Sequence, residues 1–235
     1  NGSVTGRAIG TVTITATSEG VAGTASVTVV FVLSRIAAGR DHSCGLTVSG
    51  AAFCWGGNQY GPLGDGTRDQ HLTPVAVKGG LTFSDISAGD GFTCGIATGG
   101  VAYCWGQNFQ GQLGDVTLAT RELPNRVNGT QLFKSVIAGS YHTCALTVPG
   151  AAYCWGENVG GGLGSGVFSN SPTPVPVTGG LMFASLAVGL YHTCATNTSG
   201  SAYCWGLNQL NNVGPDSVTN VINAPRRIDT ATSLS

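Results

Sequence analysis

Cys144–Gly156 reads CALTVPGAAYCWG, and the phrase returns in three other places. Cys44–Gly56 is CGLTVSGAAFCWG, Cys94–Gly106 is CGIATGGVAYCWG and Cys194–Gly206 is CATNTSGSAYCWG. Successive copies start 50 residues apart, and the two cysteines within a copy are 10 apart. The period extends outward from the phrase. Trp55, Trp105, Trp155 and Trp205 are in phase, as are Gly39, Gly89, Gly139 and Gly189. Asn58, Asn108, Asn158 and Asn208 keep step too; Pro74, Pro124 and Pro174 follow, with Pro225 one residue late. A fixed period of this length marks a stack of equal supersecondary units, a solenoid or a propeller.

Each unit reads as short strands. In the third, FKSVIA at Phe133–Ala138 is a strand candidate, the next opens at Tyr141 and His142 and runs to Val148, and Ala151–Trp155 returns. Pro174–Val177 reads as an edge strand, where proline is tolerated. Gly50, Gly100, Gly150 and Gly200 sit at the third loop position, where a type I turn with a glycine bulge needs positive φ. That register sets Thr47 opposite Ala51 and Cys44 opposite Cys54. It predicts the bridges Cys44–Cys54, Cys94–Cys104, Cys144–Cys154 and Cys194–Cys204. Pro149 is disfavoured at the second central position of such a turn, so the third hairpin is expected to use another. In the first hairpin one face carries the cysteines and Leu46, the other Thr47, Phe53 and Trp55. Two apolar faces fit a sheet sandwiched between neighbouring sheets. A propeller blade meets that description.

Composition narrows the function classes. Charged residues are 9% of the 235, and 10 Lys+Arg against 11 Asp+Glu leave a net charge of −1. There is no basic field for nucleic acid or acidic lipid, and no apolar run of the roughly 20 residues that span a bilayer. The 38 glycines have no collagen period and read as turn residues. Zinc would need closer cysteine pairs than any present. Disulfides need an oxidising compartment, so a secreted or cell-surface location is expected.

These residues resemble the regulator-of-chromosome-condensation repeat family. The shared run is an apolar strand, Gly, a His-Thr-Cys start, Ala-Leu-Thr, Gly, Tyr-Cys-Trp-Gly and Asn. It continues into a loop of the type GPLGDGT at Gly61–Thr67 or GQLGD at Gly111–Asp115, and then Thr-Pro-Val. The resemblance covers roughly residues 33–229, and the cysteine-bearing form looks like the bacterial extracellular type. It implies four-stranded blades in a β-propeller, usually of seven blades. Four repeats are too few for that ring, which leaves a partial propeller, a ring closed by two chains, or an open head-to-tail array. The family's founder is a nucleotide-exchange factor, an activity that fold alone does not carry over. Residues 1–32, with TVTITAT at Thr11–Thr17 and TASVTVV at Thr24–Val30, resemble the closing hairpin of a bacterial group 2 immunoglobulin-like domain. Residues 230–235 stand where a further strand would begin.

Candidate chemistry is thin. His42, His142 and His192 share a repeat position that Phe92 fills in the second copy, so they read as locally hydrogen-bonded packing residues. Asp65 and Asp69 could suggest calcium, but Ser165 and Pro215 replace Asp65 later. GGGLGSG at Gly160–Gly166 lacks the Lys-Ser/Thr ending of a phosphate loop. No cofactor, metal or catalytic set is assigned. The four tryptophans are expected to be buried anchors. Asn128-Gly-Thr and Asn197-Thr-Ser match the glycosylation acceptor, as does Asn1-Gly-Ser. The sequence therefore predicts an all-β, non-enzymatic extracellular repeat protein that works by protein contact. It would self-assemble through its terminal β-segments into a surface assembly or filament. The rival readings are a monomeric propeller domain that binds a foreign protein or glycan by its loops, and a secreted hydrolase with a site on the axis.

Overall fold

In the computed structural model, residues 10–18, 21–29, 32–214 and 220–228 are described. All of the regular structure among them is β. Strands β1 (Gly10–Ser18) and β2 (Val21–Val29) pair with each other in register from Gly10–Val29 to Ser18–Val21. Four four-stranded antiparallel sheets follow. Blade 1 is β3 (Leu33–Ala38), β4 (His42–Thr47), β5 (Ala52–Gly56) and β6 (His71–Ala76). Blade 2 is β7 (Phe83–Ala88), β8 (Phe92–Ala97), β9 (Ala102–Gly106) and β10 (Arg121–Arg126). Blade 3 is β11 (Phe133–Ala138), β12 (His142–Thr147), β13 (Ala152–Gly156) and β14 (Ser171–Pro176). Blade 4 is β15 (Phe183–Val188), β16 (His192–Asn197), β17 (Ala202–Leu207) and β18 (Val221–Arg227).

Every blade is a meander whose strands neighbour one another in chain order. The central hairpin sets the register. Cys44 faces Cys54, and the equivalent cysteines face each other in blades 2, 3 and 4. Each facing pair is joined by a disulfide. The hairpin turn is closed by Gly50 N–H to Thr47 C=O at 2.9 Å, with Gly50 at φ 81°. The third hairpin keeps this turn, contrary to expectation: Gly150 N–H reaches Thr147 C=O at 2.9 Å. The closing bonds use the groups of residues 147, 150 and 151, so the N–H that proline lacks at 149 is not needed.

The first strands β3, β7, β11 and β15 lie side by side on the inner side of the fan, and the fourth strands form its rim. Pro172, Pro174 and Pro176 therefore fall on a rim strand, one of whose edges has no partner strand. The late Pro225 reflects one extra residue between the third and fourth strands. Cys204 faces Arg226 where Cys154 faces Val175. The core lies between the blades. Phe83, Ile86 and Trp105 of blade 2 close over Cys44, Leu46 and Cys54 of blade 1, and Phe133, Val136 and Trp155 of blade 3 over Cys94, Ile96 and Cys104. No element of blade 1 packs extensively against blade 4, so the described residues form an open fan. The predicted strand start at 230–235 lies outside the described residues.

Candidate interaction surfaces

One joint, repeated three times, connects the blades. Its foundation is the in-phase asparagine that ends the Cys-Trp-Gly phrase. Asn58 Oδ1 accepts from Leu63 N–H at 3.1 Å, Asn108 from Leu113 at 2.9 Å, Asn158 from Leu163 at 3.0 Å and Asn208 from Val213 at 2.7 Å. This bond curls the loop after the third strand and turns one backbone carbonyl toward the next blade. The indole Nε1–H of that blade donates to it: Trp105 to Pro62 C=O at 2.8 Å, Trp155 to Gln112 at 2.9 Å and Trp205 to Gly162 at 2.9 Å. A threonine hydroxyl donates to the same oxygen, from Thr93 at 2.8 Å, Thr143 at 2.8 Å and Thr193 at 2.9 Å. Gly64, Gly114 and Gly164 let the indole come this close. An added Cβ would lie 2.7, 2.8 and 2.6 Å from the indole nitrogen.

The histidines belong to this joint. His42 and His142 bond to the following blade rather than locally, correcting the sequence reading. His42 Nε2 meets Thr93 Oγ at 2.8 Å, and His142 Nε2 meets Thr193 Oγ at 2.9 Å. Each threonine proton already goes to a carbonyl, so His Nε2 must carry the hydrogen and donate. Burial pushes the pKa of His42 and His142 down to about 4, which keeps the rings neutral. Nearby Asp41 and Asp90 offset part of this at His42. Further out, loop N–H groups bond to the next rim strand: Gly66 to Glu122 C=O at 3.0 Å, Val116 to Pro172 at 3.0 Å and Gly166 to Asn223 at 2.9 Å. Near the axis the Asp85 carboxylate pairs with Arg35 of blade 1 and accepts Val136 N–H of blade 3 at 2.9 Å, tying three blades together.

Trp105, Trp155 and Trp205 are fully buried, but Trp55 is only half-buried, a correction to the expectation of four equal anchors. The cover of each buried tryptophan comes from the preceding blade, and among the described residues no blade precedes blade 1. Asp65 accepts from Thr67, Asn58 and His71, and Asp115 from Thr117, Asn108, Arg121 and Asn125. Burial alone would raise both carboxyls; the hydrogen bonds outweigh it and hold them below the usual range. They act as loop latches. Asp69 is apart from this network, on the exposed side of its loop. Asn128 is exposed beside a turn, whereas Asn197 folds its Oδ1 onto Ser199 and Ser201 N–H. The Asn1 sequon lies outside the described residues.

Two concavities among the described residues are lined by three or more blades. At the axis, the ends of the four inner strands converge on glycine and alanine at 38–39, 88–89 and 138–139, and on Val188–Gly189 in blade 4, with Asp90 held by Arg40 at 3.3 Å. On the loop side, a polar cleft of about 830 Å³ is lined by Arg40, Asp41, Tyr60, Arg68, Gln107 and Tyr141, among others. Tyr60 meets Phe109 edge-on at 5.5 Å, and Tyr141 stacks on Tyr191 at 5.6 Å.

The sequence matches the Regulator of chromosome condensation (RCC1) repeat over residues 49–96, 99–146 and 149–196. A second form of that repeat matches at 34–61, 83–112, 133–161 and 183–212. No curated protein matches the chain. The fold is similar to yeast RCC1 (Prp20) bound to Kap60, with TM-score 0.76 and 23% identity, covering 89% of this chain and 52% of that one. It is similar to human WBSCR16, with TM-score 0.76 and 22% identity over 88% of this chain and 56% of the other. The ectodomain of the Physcomitrella patens receptor kinase CR4 matches at TM-score 0.51 and 26% identity, over 76% and 41%. The chain thus spans about half the length of the RCC1 and WBSCR16 structures it matches.

Proposed function

Because the chain belongs to the RCC1 repeat family, we propose that it is a propeller-type interaction module whose work is contact between proteins, copies of itself included, without catalysis. The observation that carries this reading is the apolar surface that the described residues leave exposed on blade 1. Each internal face is covered by a neighbour, while Ile36 on blade 1 is 68% exposed and its counterpart Ile86 is 4% exposed. Exposed apolar residues on a chain with 9% charge favour association. The complex of yeast RCC1 with Kap60 is an instance of protein recognition by this fold. Four disulfides within the blades support work outside reducing compartments, secreted or at a cell surface. In this reading residues 1–32 are an immunoglobulin-like hairpin that offers strands for pairing between chains. Asn128, exposed at its turn, is the better placed sugar acceptor.

The test is the native mass of the 235-residue chain by light scattering across a concentration series. A mass that rises with concentration supports the reading, and one chain per particle at every concentration sinks it. The polar cleft favours a second reading, a monomeric domain that binds a foreign protein or glycan through its loops. A monodisperse particle that loses such a ligand on Tyr60→Ala and Tyr141→Ala would favour it instead.

A further inference from the structure

Glu157 carries a carboxylate without a partner. Neither an ion pair nor a hydrogen bond reaches it among the described residues, and its Oε2 is buried. Burial raises its pKa, and no cation among those residues offsets this. A buried polar atom left unpaired is rare in a folded protein and calls for a reason. The fold does not supply one. Gly57, Gln107 and Leu207 hold the same repeat position. Every blade makes the same backbone bond from it: Glu157 N–H donates to Tyr141 C=O at 2.9 Å, Gly57 to Asp41 at 2.7 Å, Gln107 to Gly91 at 2.9 Å and Leu207 to Tyr191 at 2.9 Å. The blade is built equally well with no charge there.

Two tyrosines stand beside this carboxylate, and they also depart from the repeat. Tyr141 and Tyr191 occupy a position that holds Asp41 in blade 1 and Gly91 in blade 2. Their rings stack with centroids 5.6 Å apart and planes 25° from parallel. Burial raises the pKa of the Tyr191 phenol, and the Glu157 carboxylate and Tyr141 raise it further. All three side chains belong to half-buried residues, open in part to solvent. They meet where blade 3 joins blade 4, inside the fan: a Cβ added at Gly160 of blade 3 would lie 3.1 Å from the Tyr191 carbonyl. Arg40 shares the polar cleft with Tyr141, but it is already paired with Asp90 at 3.3 Å and Asp41 at 3.8 Å. In a repeat protein, departures that the fold does not need are where function is expected.

Resting on the reading of the chain as a protein-contact module, we propose that Glu157, Tyr141 and Tyr191 receive an arginine side chain of a partner protein. The chemistry selects a cation. An anion would be repelled, an apolar group would leave the carboxylate unpaired, and a sugar hydroxyl would leave its charge uncompensated. Among cations it selects arginine. A guanidinium is planar, lies flat against an aromatic ring and donates N–H from its edge to a carboxylate. It is also more weakly hydrated than an ammonium, so a half-buried site strips less water from it. Oε2 is buried, so the charge-assisted bond goes to Oε1.

The experiment titrates the full chain with a blocked Gly-Arg-Gly peptide at pH 7 and follows backbone amides by two-dimensional NMR. The control peptide carries citrulline, which has the shape of arginine without its charge. The arginine peptide should give saturable shifts at Tyr141, Glu157 and Tyr191, and the citrulline peptide should bind about tenfold more weakly. Glu157→Gln installs the residue that blade 2 carries as Gln107, so the variant should fold and lose about tenfold in affinity. Tyr191→Leu keeps the apolar bulk, removes the ring and should weaken binding about threefold. Asp69→Asn, at an exposed carboxylate without rings, should change nothing. Equal binding of the two peptides, undiminished binding by folded Glu157→Gln, or no saturable shift in the parent each overturns the inference. The mass series reads self-association separately, so either result can fail while the other stands.

Discussion

Trp155 and Trp55 occupy the same repeat position in unlike surroundings. Trp155 is fully buried, donates to Gln112 C=O at 2.9 Å and lies 6.1 Å from the Phe133 ring. Trp155→Ala should cost roughly 3–5 kcal/mol, as for other buried aromatics. Trp55→Ala should cost well under half of that, and the difference appears directly in the denaturation midpoints of the two variants. The histidines give a pH signature. In the unfolded chain they titrate near 6.5, and in the fold His42 and His142 titrate near 4. Above about pH 6.5 neither state is protonated and they add no pH dependence. As the pH falls from about 6.5 to 4 the unfolded chain takes up protons first, so stability drops by up to about 3 kcal/mol per histidine, and then levels off. Blade 2 already carries Phe92 at this position. The double variant His42→Phe, His142→Phe should therefore fold and show a flatter stability profile between pH 7 and 4.5 in urea titrations. The histidine position was visible in the repeat, but its partner was not, because Thr93 and Thr193 lie 51 residues further along.

At the scale of the element, the hairpin and the loop after it do separate work. Each disulfide closes a short loop across facing strands, and Cys94→Ser with Cys104→Ser should lower stability by roughly 2–3 kcal/mol. Peptide mapping without reductant should find the four pairs at their separation of 10 residues; bridges between repeats would refute the register. The loop depends on its asparagine. Asn158→Ala leaves Leu163 N–H buried without its acceptor, which costs about 1–3 kcal/mol. It also frees the Gly162 carbonyl that Trp205 uses. Hydrogen exchange should quicken at the Leu163 amide and the Trp205 indole together. If only the amide changes, the loop does not set the joint. The hairpins could be read from cysteine spacing and phased glycine because their register is a local property. Pro149 misled the reading because turn preference was weighed without asking which groups close the turn.

For the whole molecule, the role of the N-terminal segment in association is tested by removing it. Deleting residues 1–32 removes the β1–β2 pair and leaves the four blades. If terminal strands join the chains, the deleted protein should stay folded and lose its larger particles. Association that persists undiminished through the deletion would refute that role. The sequence alone determined that the chain is a stack of four equal units, that each is a meander of short strands, and which residues repeat. Those are consequences of period and alternation, which act over a few residues. Only the tertiary structure decided what the repeated residues are for. The carbonyl of Pro62, the hydroxyl of Thr93 and the indole of Trp105 make one joint across 43 residues of chain. A backbone carbonyl leaves no trace in side-chain identity, so no motif announced it. The inequality of Trp55 and Trp155 was equally hidden, since the residues are identical and differ only in whether a blade stands before them.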